Sequence, residues 1–542
     1  MKVLHVSTFG ESGGAARAML RWHRRLLLDG FESRVLCFES KKNEAAISVL
    51  SKPRDSTESA KAWVSQRKWI DQSRTSFSDN FFSQAFFDCR ISGEEWVEWA
   101  DVIHIHWISR FLNLEDLAQI RSRGKPIVAT PHDLWFFTGG CHYPSSCRQY
   151  GELCMECPMV VPESHRFVEI NHRFKKDILS NVVSAWIGPS SWMREQILRC
   201  RDFPAADVFV VPYACDFESF WPGNKAEDRK RLALPVDHKL ILFVAENLGE
   251  SRKGFSDFEQ VLLRLHNLAA DQRGTAPIGA LLAGRAEGVE KGKLRFPVFE
   301  LGYIDDPATL RAAYSAADIL LYTGIEDNLP NVVTEALACG TPVIGYRTGG
   351  IVDQVRPGEN GILVATGNVE AATNALAELL QNPARIRELA SRARESVELS
   401  FDNQRIVRKL IFIYEKVVSD PAPRAPLPSL KREWAEYEAF AGRALADLLE
   451  RSGELEGEVK WLRNQSLEYG SVCELLRIWA AEIDEMFSFA PARVQNQYAQ
   501  IAKGITEEGT TGIRRSLEEQ WRKTNIKIYL LKEFLGWRPE KR

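Results

Sequence analysis

Short apolar runs alternate with longer amphipathic segments over the first 418 residues of the chain. This alternation predicts parallel β-strands separated by helices, which is the pattern of an α/β protein. A first set of predicted strands lies at 3–6, 33–38, 102–106, 126–130 and 185–187. A second set lies at 208–212, 240–244, 278–283, 298–301, 319–322, 342–346 and 361–364. Two sets of this kind predict two Rossmann-like lobes with a cleft between them, and ligands of such sheets bind at the carboxyl ends of the strands.

The pattern also predicts where the domains end. We place the first lobe at 1–205, the second at 206–400 and a further helix at 401–418. Residues 419–429 carry Pro421, Pro423, Pro426 and Pro428, a composition typical of a stiff, extended linker. Residues 430–542 favour helix and form a C-terminal helical extension without a recognisable motif.

Composition narrows the class of protein. The 542 residues include 70 basic and 73 acidic side chains, and this balance argues against nucleic acid as a partner. The first strand, 3–6, runs into a glycine turn and is no secretion signal, and the sequence has no long uninterrupted apolar run that would span a bilayer. A cytoplasmic protein, or one peripheral to a membrane, is therefore predicted.

Four cysteines form a cluster with the spacing C-x5-C-x6-C-x2-C, namely Cys141, Cys147, Cys154 and Cys157. Four thiolates so close in sequence can complete a tetrahedral site for a structural zinc ion. Buried thiols or a redox pair would leave the same residues. Both interpretations stay open at the level of sequence.

The segment 326–342, EDNLPNVVTEALACGTP, carries two carboxylates around the predicted start of a helix. Asn328 is a favourable N-cap and Pro330 suits a first helical turn, so we expect the helix to begin near Leu329. We expect the start of this helix, formed by Asn328, Leu329, Pro330 and Asn331, to bind a diphosphate through the free backbone N–H groups of its first turn. Asp327 precedes them, and Glu335 lies about 7 Å farther along the axis at ~1.5 Å per residue, where it can accept hydrogen bonds from a ribose. A well-capped helix between two strands is the simpler alternative.

This segment resembles the E-x7-E region of family-4 retaining glycosyltransferases of the GT-B fold. The resemblance covers roughly residues 1–418 and implies that the helix at 401–418 crosses back to the first lobe. One departure is that Asp327 stands where the family usually has a glutamate. It implies an enzyme that moves a sugar from a UDP- or GDP-sugar to a glycan or lipid-linked acceptor, in polysaccharide or surface-glycan synthesis. It also implies that the chemistry requires no cofactor beyond this nucleotide-sugar donor.

Two cations, Arg252 and Lys253, follow a buried strand of the second lobe and would neutralise the diphosphate leaving group. Lys253 matches the lysine of the family's K-G pair. Asn247 occupies the place of the usual arginine, and Arg252 is a candidate to replace that arginine from another backbone position. A solvated pair of loop cations is the alternative.

The remaining candidates also follow predicted strands. His132 resembles the family's histidine near the donor sugar, and Gly13 and Gly14 resemble the glycine loop that closes over the diphosphate. Gly349 and Gly350 offer a second backbone contact with the donor. Three further features are weaker. His104 and His106 are equally well explained as structural histidines, and Ser190 and Ser191 resemble the family's motif on the hinge side between the lobes. The segment 211–216, VPYACD, departs from the family's P-N-G-V-D.

Other functions remain as alternatives. A glycosidase needs two acids at the sugar, and the predicted helix places Glu335 too far from it. A catalytically weak or inactive scaffold that acts through its C-terminal module would explain Asp327 and Asn247. For 430–542 we expect a protein-binding module, with a membrane-surface helix as the alternative.

Overall fold

The computed structural model of the chain describes residues 1–40, 46–50, 70, 73–77, 81–85, 89–200, 203, 206–269, 277–286 and 294–419. The predicted linker beyond Ser419 and the predicted helical extension at 430–542 lie outside these residues. None of the helices within the described ranges is long and apolar enough to cross a bilayer.

The first lobe is built on a parallel sheet with the strand order β3-β2-β1-β4-β5-β6-β7. Its strands are β1 (Lys2–Phe9), β2 (Glu32–Glu39), β3 (Ile47–Val49), β4 (Val102–Ile105), β5 (Ile127–Ala129), β6 (Val183–Gly188) and β7 (Asp207–Val210). Its helices are α1 (Gly13–Leu28), α2 (Glu95–Trp99), α3 (Leu114–Ser122), α4 (His165–Val182) and α5 (Ser191–Arg199). All four residues of β4 are buried, because this strand lies inside the sheet with both faces covered.

The second lobe has a second parallel sheet, with the order β10-β9-β8-β11-β12-β13. Its strands are β8 (Lys239–Asn247), β9 (Ile278–Arg285), β10 (Val298–Glu300), β11 (Ile319–Tyr322), β12 (Val343–Tyr346) and β13 (Gly361–Val364). The helices of this half are α6 (Lys225–Arg231), α7 (Phe255–Ala269), α8 (Pro307–Ala316), α9 (Asn331–Ala338), α10 (Val369–Gln381), α11 (Pro383–Ser400) and α12 (Asn403–Ser419). Short 3-10 turns at Ser251–Lys253 and Gly349–Asp353 follow β8 and β12. The predicted two-lobed α/β fold is confirmed.

One predicted boundary was wrong. We expected the second lobe to begin at 206, but β7 pairs in parallel with β6, with Val208 opposite Trp186. This strand therefore closes the edge of the first sheet, and the division between the sheets falls after Val210. A single apolar strand has no sequence signal for which of two neighbouring sheets it joins, because either would bury it equally well.

The helix α12 returns to the first lobe, as the resemblance implied. Tyr414 is fully buried, and its hydroxyl lies 2.7 Å from Nδ1 of His104 on β4. Lys416 pairs with Asp207 of β7. These contacts tie the end of the second lobe to the sheet of the first.

Both sheets reverse their strand order next to the cleft, between β1 and β4 in one lobe and between β8 and β11 in the other. A crevice opens outside the carboxyl ends of strands at such a switch point. The loops that follow β1, β5, β8, β11 and β12 hold the predicted site residues, so the topology brings them to the same region.

Candidate active site

Lys253, Arg252 and Asp327 form a charged cluster at the cleft edge of the second lobe. Lys253 Nζ lies 2.6 Å from Asp327 Oδ2, and Arg252 Nη1 lies 3.4 Å from the same oxygen. The loop reaches this place through Gly254, whose φ of +76° suits glycine. A Cβ there would lie 1.9 Å from the Thr323 carbonyl oxygen, so a larger residue would push the loop away from the end of β11.

The two cations keep the buried Asp327 ionised. Burial alone would raise its pKa, but the charges of Lys253 and Arg252, together with hydrogen bonds from Lys253 and Tyr322, lower the pKa to about 2. Arg252 also contacts Glu250 through Nε at 2.6 Å and lies over the ring of Tyr143, 4.0 Å from its centroid. Asn247, by contrast, accepts from the backbone N–H of Gly249 in the turn after β8. Arg252 therefore brings to this cluster a guanidinium that Asn247 does not supply.

The predicted start of the helix was wrong by about two residues. Helix α9 begins at Asn331, and Pro330, which has no side-chain cap hydrogen bond, occupies the N-cap position. Asn328 does not cap the helix because its side chain is used between the lobes. Its Oδ1 accepts from Ser190 Oγ at 2.8 Å, and its Nδ2 donates to the carbonyl oxygens of Pro131 and His132. Leu329 is buried.

The helix N-terminus nevertheless faces the glycine loop of the other lobe. Asn331 Nδ2 lies 3.4 Å from the carbonyl oxygen of Gly14, at the start of α1. Gly13 has a φ of +83° and has no atom within 4 Å of where a Cβ would stand, so the turn has open space beside it. The start of α9 and the glycine loop therefore meet across the lobes at Asn331 and Gly14, and Asp327 lies four residues before Asn331.

Gly349 and Gly350 allow a close approach of two backbones. A Cβ on Gly349 would lie 1.6 Å from the Asp327 carbonyl oxygen, and one on Gly350 would lie 1.9 Å from that of Asn328. The N–H of Gly350 donates to the Asp327 carbonyl at 3.3 Å. These glycines therefore hold the 327–328 backbone in place, and the predicted direct contact with a donor stays a prediction.

Glu335 is buried and already has two partners. Its Oε1 accepts from Arg21 Nη2 at 2.5 Å, and its Oε2 accepts from the Tyr314 hydroxyl at 3.0 Å. Arg21 Nη1 also donates to Asn331 Oδ1 at 3.1 Å. Burial would lower the pKa of Arg21, but the facing carboxylate of Glu335 raises it above its ordinary value. An interlobe ion pair therefore stands at the predicted ribose position.

His132 is buried at the end of β5 and belongs to a chain of hydrogen-bonded rings. Its Nδ1 lies 2.8 Å from the Tyr213 hydroxyl and its Nε2 lies 3.0 Å from His106 Nδ1. His106 Nε2 in turn lies 2.9 Å from His5 Nδ1. Burial lowers the pKa of His132 to about 4, so the ring is neutral at pH 7. Both ring nitrogens already have protein partners, so a ligand that binds His132 would share or displace one of them.

His104 and His106 are structural rather than exposed to the cleft. Both are fully buried, and His104 has Tyr414 and Thr130 as partners for its two nitrogens. Ligand atoms of His5, His104 and His106 lie within 4.8 Å of one another. Of the ring nitrogens of these three histidines, Nε2 of His5 alone lacks a protein partner among the described residues. A metal ion bound here would therefore have to break existing hydrogen bonds.

Four cysteines line a single cavity beside the first lobe. They are Cys141, Cys147, Cys154 and Cys157, and Phe82, Tyr150 and Met159 complete its walls. The loop between the first two cysteines reaches the second lobe, where the backbone N–H of Ser145 donates to Glu326 Oε2 at 2.8 Å. The cluster is therefore next to the cleft loops without being part of the charged site.

Two residues of the site were missed from the sequence. Arg21 lies seven residues after Gly14, which places both on one face of α1, so helical periodicity held a signal for it. Glu326, next to Asp327, is buried, and burial raises its pKa to about 7 despite the Ser145 N–H and Arg252. No local pattern distinguishes its environment from that of Asp327.

Two family matches cover most of the chain. The family described as Glycosyltransferase Family 4 matches residues 12–219, and Glycosyl transferases group 1 matches residues 224–396. Together with the two-lobed fold, these matches show that the chain belongs to the group 1 glycosyltransferases of the family-4 type.

Individual relatives are more distant. The D-inositol 3-phosphate glycosyltransferase of Acidothermus cellulolyticus is 24% identical over 59% of this chain and 68% of its own length. Among curated relatives, the aligned part ranges from 32% to 75% of the relative's length, and for most of them it is two thirds or less.

Two solved structures share the fold. Sucrose-phosphate synthase from Thermosynechococcus elongatus matches with a TM-score of 0.54 at 20% identity, covering 77% of this chain and 100% of that one. HepE from Anabaena, solved in complex with UDP, matches with a TM-score of 0.53 at 17% identity and the same coverage. At these identities the likeness is one of fold.

Proposed function

We propose that the protein is a retaining glycosyltransferase that moves a sugar from a nucleoside diphosphate sugar to an acceptor hydroxyl. The observation that carries this proposal is the contact of Lys253 and Arg252 with Asp327, which lies four residues before Asn331, the first residue of α9. Cations next to the free N–H groups of a helix N-terminus suit a diphosphate.

In the proposed reaction the bond between the anomeric carbon and the diphosphate oxygen breaks, and a bond from that carbon to the acceptor oxygen forms. The departing diphosphate gains negative charge, which Lys253 and Arg252 neutralise, and this lowers the barrier. A phosphate oxygen takes the proton of the acceptor hydroxyl on the same face of the sugar, so the anomeric configuration is retained.

The other site residues have positioning roles in this proposal. Asp327 and the neutral His132 orient hydroxyls of the donor sugar, and Glu335 accepts from the ribose. Because Arg21 and Tyr314 occupy both oxygens of Glu335, the ribose would share or displace one of these partners. Hydroxyls of Tyr213 and Tyr322 lie beside His132 and Asp327, at 2.8 and 3.1 Å.

The HepE structures contain UDP and, in one case, UDP-glucose, which makes UDP-sugars the first donors to test, ahead of GDP-sugars. The family resemblance supports a glycan or lipid-linked acceptor in polysaccharide or surface-glycan synthesis. The names of the curated relatives add inositol phosphates to the acceptors worth testing.

A panel of UDP- and GDP-sugars tests the proposal. The full chain is incubated with each donor and candidate acceptor, released nucleoside diphosphate is measured, and the anomeric configuration of the product is read by NMR. Release with one donor and a product of the donor's configuration would support the proposal. An inverted product would refute retention, and absence of both donor binding and release across the panel would favour a scaffold instead.

A further inference from the structure

One tyrosine and three histidines form a continuous chain of hydrogen bonds, which we call the ring chain. In order they are Tyr213, His132, His106 and His5. The Tyr213 hydroxyl lies 2.8 Å from His132 Nδ1, His132 Nε2 lies 3.0 Å from His106 Nδ1, and His106 Nε2 lies 2.9 Å from His5 Nδ1. All four side chains are buried, and burial lowers the pKa of each histidine, so the three rings are neutral at pH 7. A neutral imidazole has one N–H and one acceptor nitrogen, so every link has a direction.

The direction of the ring chain is set at its tyrosine end. The second polar atom near the Tyr213 hydroxyl is Asn328 Nδ2, at 3.5 Å. This atom is a donor, because it also donates to the carbonyl oxygens of Pro131 and His132. Within the described part of the chain, His132 Nδ1 is therefore the one acceptor in reach of the Tyr213 O–H. Since a buried O–H without an acceptor is costly, the hydroxyl donates to that nitrogen.

This one hydrogen bond determines the tautomers of all three histidines. Because His132 Nδ1 accepts, the proton of His132 is on Nε2, which donates to His106 Nδ1. By the same argument His106 donates from Nε2 to His5 Nδ1, and His5 has its proton on Nε2. Nε2 of His5 is buried without a partner among the described residues, and the ring chain ends there. The opposite direction would leave the Tyr213 hydroxyl unpaired as well.

We propose that Tyr213 is a positioning residue that fixes the tautomer and the orientation of His132 for sugar transfer. This role rests on the proposed function, in which His132 orients a hydroxyl of the donor sugar. A ring that is held at both nitrogens cannot rotate or exchange its tautomer without breaking a link of the chain. Through His106, the link at Nε2 of His132 connects this position to the core of the first lobe.

The sequence of this chain supplies the tyrosine in an unusual place. Tyr213 belongs to the segment 211–216, VPYACD, which departs from the family's P-N-G-V-D. In the structure its hydroxyl lies between the lobes, beside His132 of the first and Asn328 of the second. The departure therefore places an O–H donor at Nδ1 of His132, a task that the proposed sugar transfer does not by itself assign to this segment.

NMR of the histidine rings tests the direction of the ring chain. Long-range proton–nitrogen spectra of the full chain, labelled in its histidine side chains, report which ring nitrogen carries the proton. The signals are assigned with the variants His5→Gln, His106→Gln and His132→Gln. We expect neutral rings with the proton on Nε2 at all three positions. A proton on Nδ1 of His132 in the wild-type protein would overturn the proposal, whether or not any variant folds.

Tyr213→Phe removes the hydroxyl and keeps the ring, whose centroid lies 5.3 Å from that of His132. The three histidines should then show mixed tautomers, because no donor sets their direction. Tyr414→Phe is the matched control, since it removes a buried hydroxyl 2.7 Å from Nδ1 of His104, outside the ring chain. This control should leave the tautomers of the ring chain unchanged. If the tautomers do not respond to Tyr213→Phe either, Tyr213 does not fix them and the proposal is wrong.

The same two variants test the effect on the proposed reaction. We expect kcat/KM for the donor to fall about fivefold in Tyr213→Phe, which corresponds to the loss of one hydrogen bond of ordinary strength. Tyr414→Phe should keep the wild-type value. An unchanged kcat/KM in Tyr213→Phe would overturn the positioning role. A wild-type protein that transfers no sugar from any donor would instead remove the proposed function, and the NMR spectra would still decide the direction of the ring chain.

Discussion

Arg21 of the first lobe and Glu335 of the second form an ion pair across the cleft, with Nη2 and Oε1 2.5 Å apart. The two side chains are only 14% and 5% exposed, so this pair is screened little by solvent. It joins α1 to α9, the two helices that border the proposed diphosphate crevice. The interlobe arrangement and the proposed ribose position therefore depend on the same two residues.

Breaking this pair should destabilise the protein more than replacing both partners. Arg21→Ala leaves the Glu335 carboxylate buried with Tyr314 as its remaining partner, a loss we expect to cost about 3 kcal/mol. Arg21→Ala/Glu335→Gln should cost less than the sum of the single changes, by at least about 1 kcal/mol. Urea unfolding of all four proteins measures the coupling. Strict additivity would show that the pair contributes nothing.

Loss of the Lys253 ammonium should slow sugar transfer. Lys253→Ala removes a cation that faces the leaving diphosphate in the proposed reaction, and we expect turnover to fall by more than roughly tenfold. Lys416→Ala, which removes a lysine on α12 paired with Asp207, serves as the control and should leave turnover unchanged. Steady-state release of nucleoside diphosphate gives both rates. Equal rates for Lys253→Ala and wild type would refute the role of Lys253.

Glu326 should make stability fall as pH rises. Burial raises its folded-state pKa from 4.5 to about 7, so between these values the folded protein binds more protons than the unfolded chain. The contribution of Glu326 to the free energy of unfolding then falls by at most about 3 kcal/mol between pH 4.5 and about 7. Above pH 7 it changes little.

Glu326→Gln removes the titrating group while keeping an acceptor for the Ser145 N–H. The difference in unfolding free energy between wild type and this variant should therefore change by up to about 3 kcal/mol between pH 4.5 and 7. Urea unfolding at half-unit pH steps measures it. A difference that is constant from pH 4.5 to 7.5 would contradict the raised pKa of Glu326.

A methyl group at Gly350 should disturb the junction between the lobes. A Cβ there would stand 1.9 Å from the Asn328 carbonyl oxygen and 2.6 Å from Ser190 Cβ. We expect Gly350→Ala to cost about 1–3 kcal/mol, because the backbone must shift, and to weaken donor binding. Gly93→Ala is the matched control, since it meets no atom within 4 Å, and it should change stability by less than about 0.5 kcal/mol. The melting temperatures of the Gly350→Ala and Gly93→Ala variants are measured with and without donor. Equal melting temperatures and equal donor-induced shifts would argue against a tight junction at Gly350.

The sequence predicted most of the fold because parallel strands buried on both faces are apolar throughout, as in β5 and β11. That signal is local and needs no knowledge of neighbours. It failed at β7, where burial is compatible with either sheet, and at Asn328, whose preference for an N-cap gave way to Ser190 and two carbonyl groups of the other lobe. Local propensity is weaker than several specific tertiary hydrogen bonds.

The chain by itself determined which groups follow which strands, and hence that Lys253, Asp327, His132 and the glycine turns lie at the carboxyl ends of the strands. Spacing along the chain is enough for this, because the carboxyl ends of parallel strands face the same way. Only the tertiary structure decided which partner each group has. Arg21 is hydrogen-bonded to Glu335, Tyr213 to His132 and Ser145 to Glu326. Their partners lie far apart in sequence, and burial and electrostatic environment arise only when the two lobes pack together.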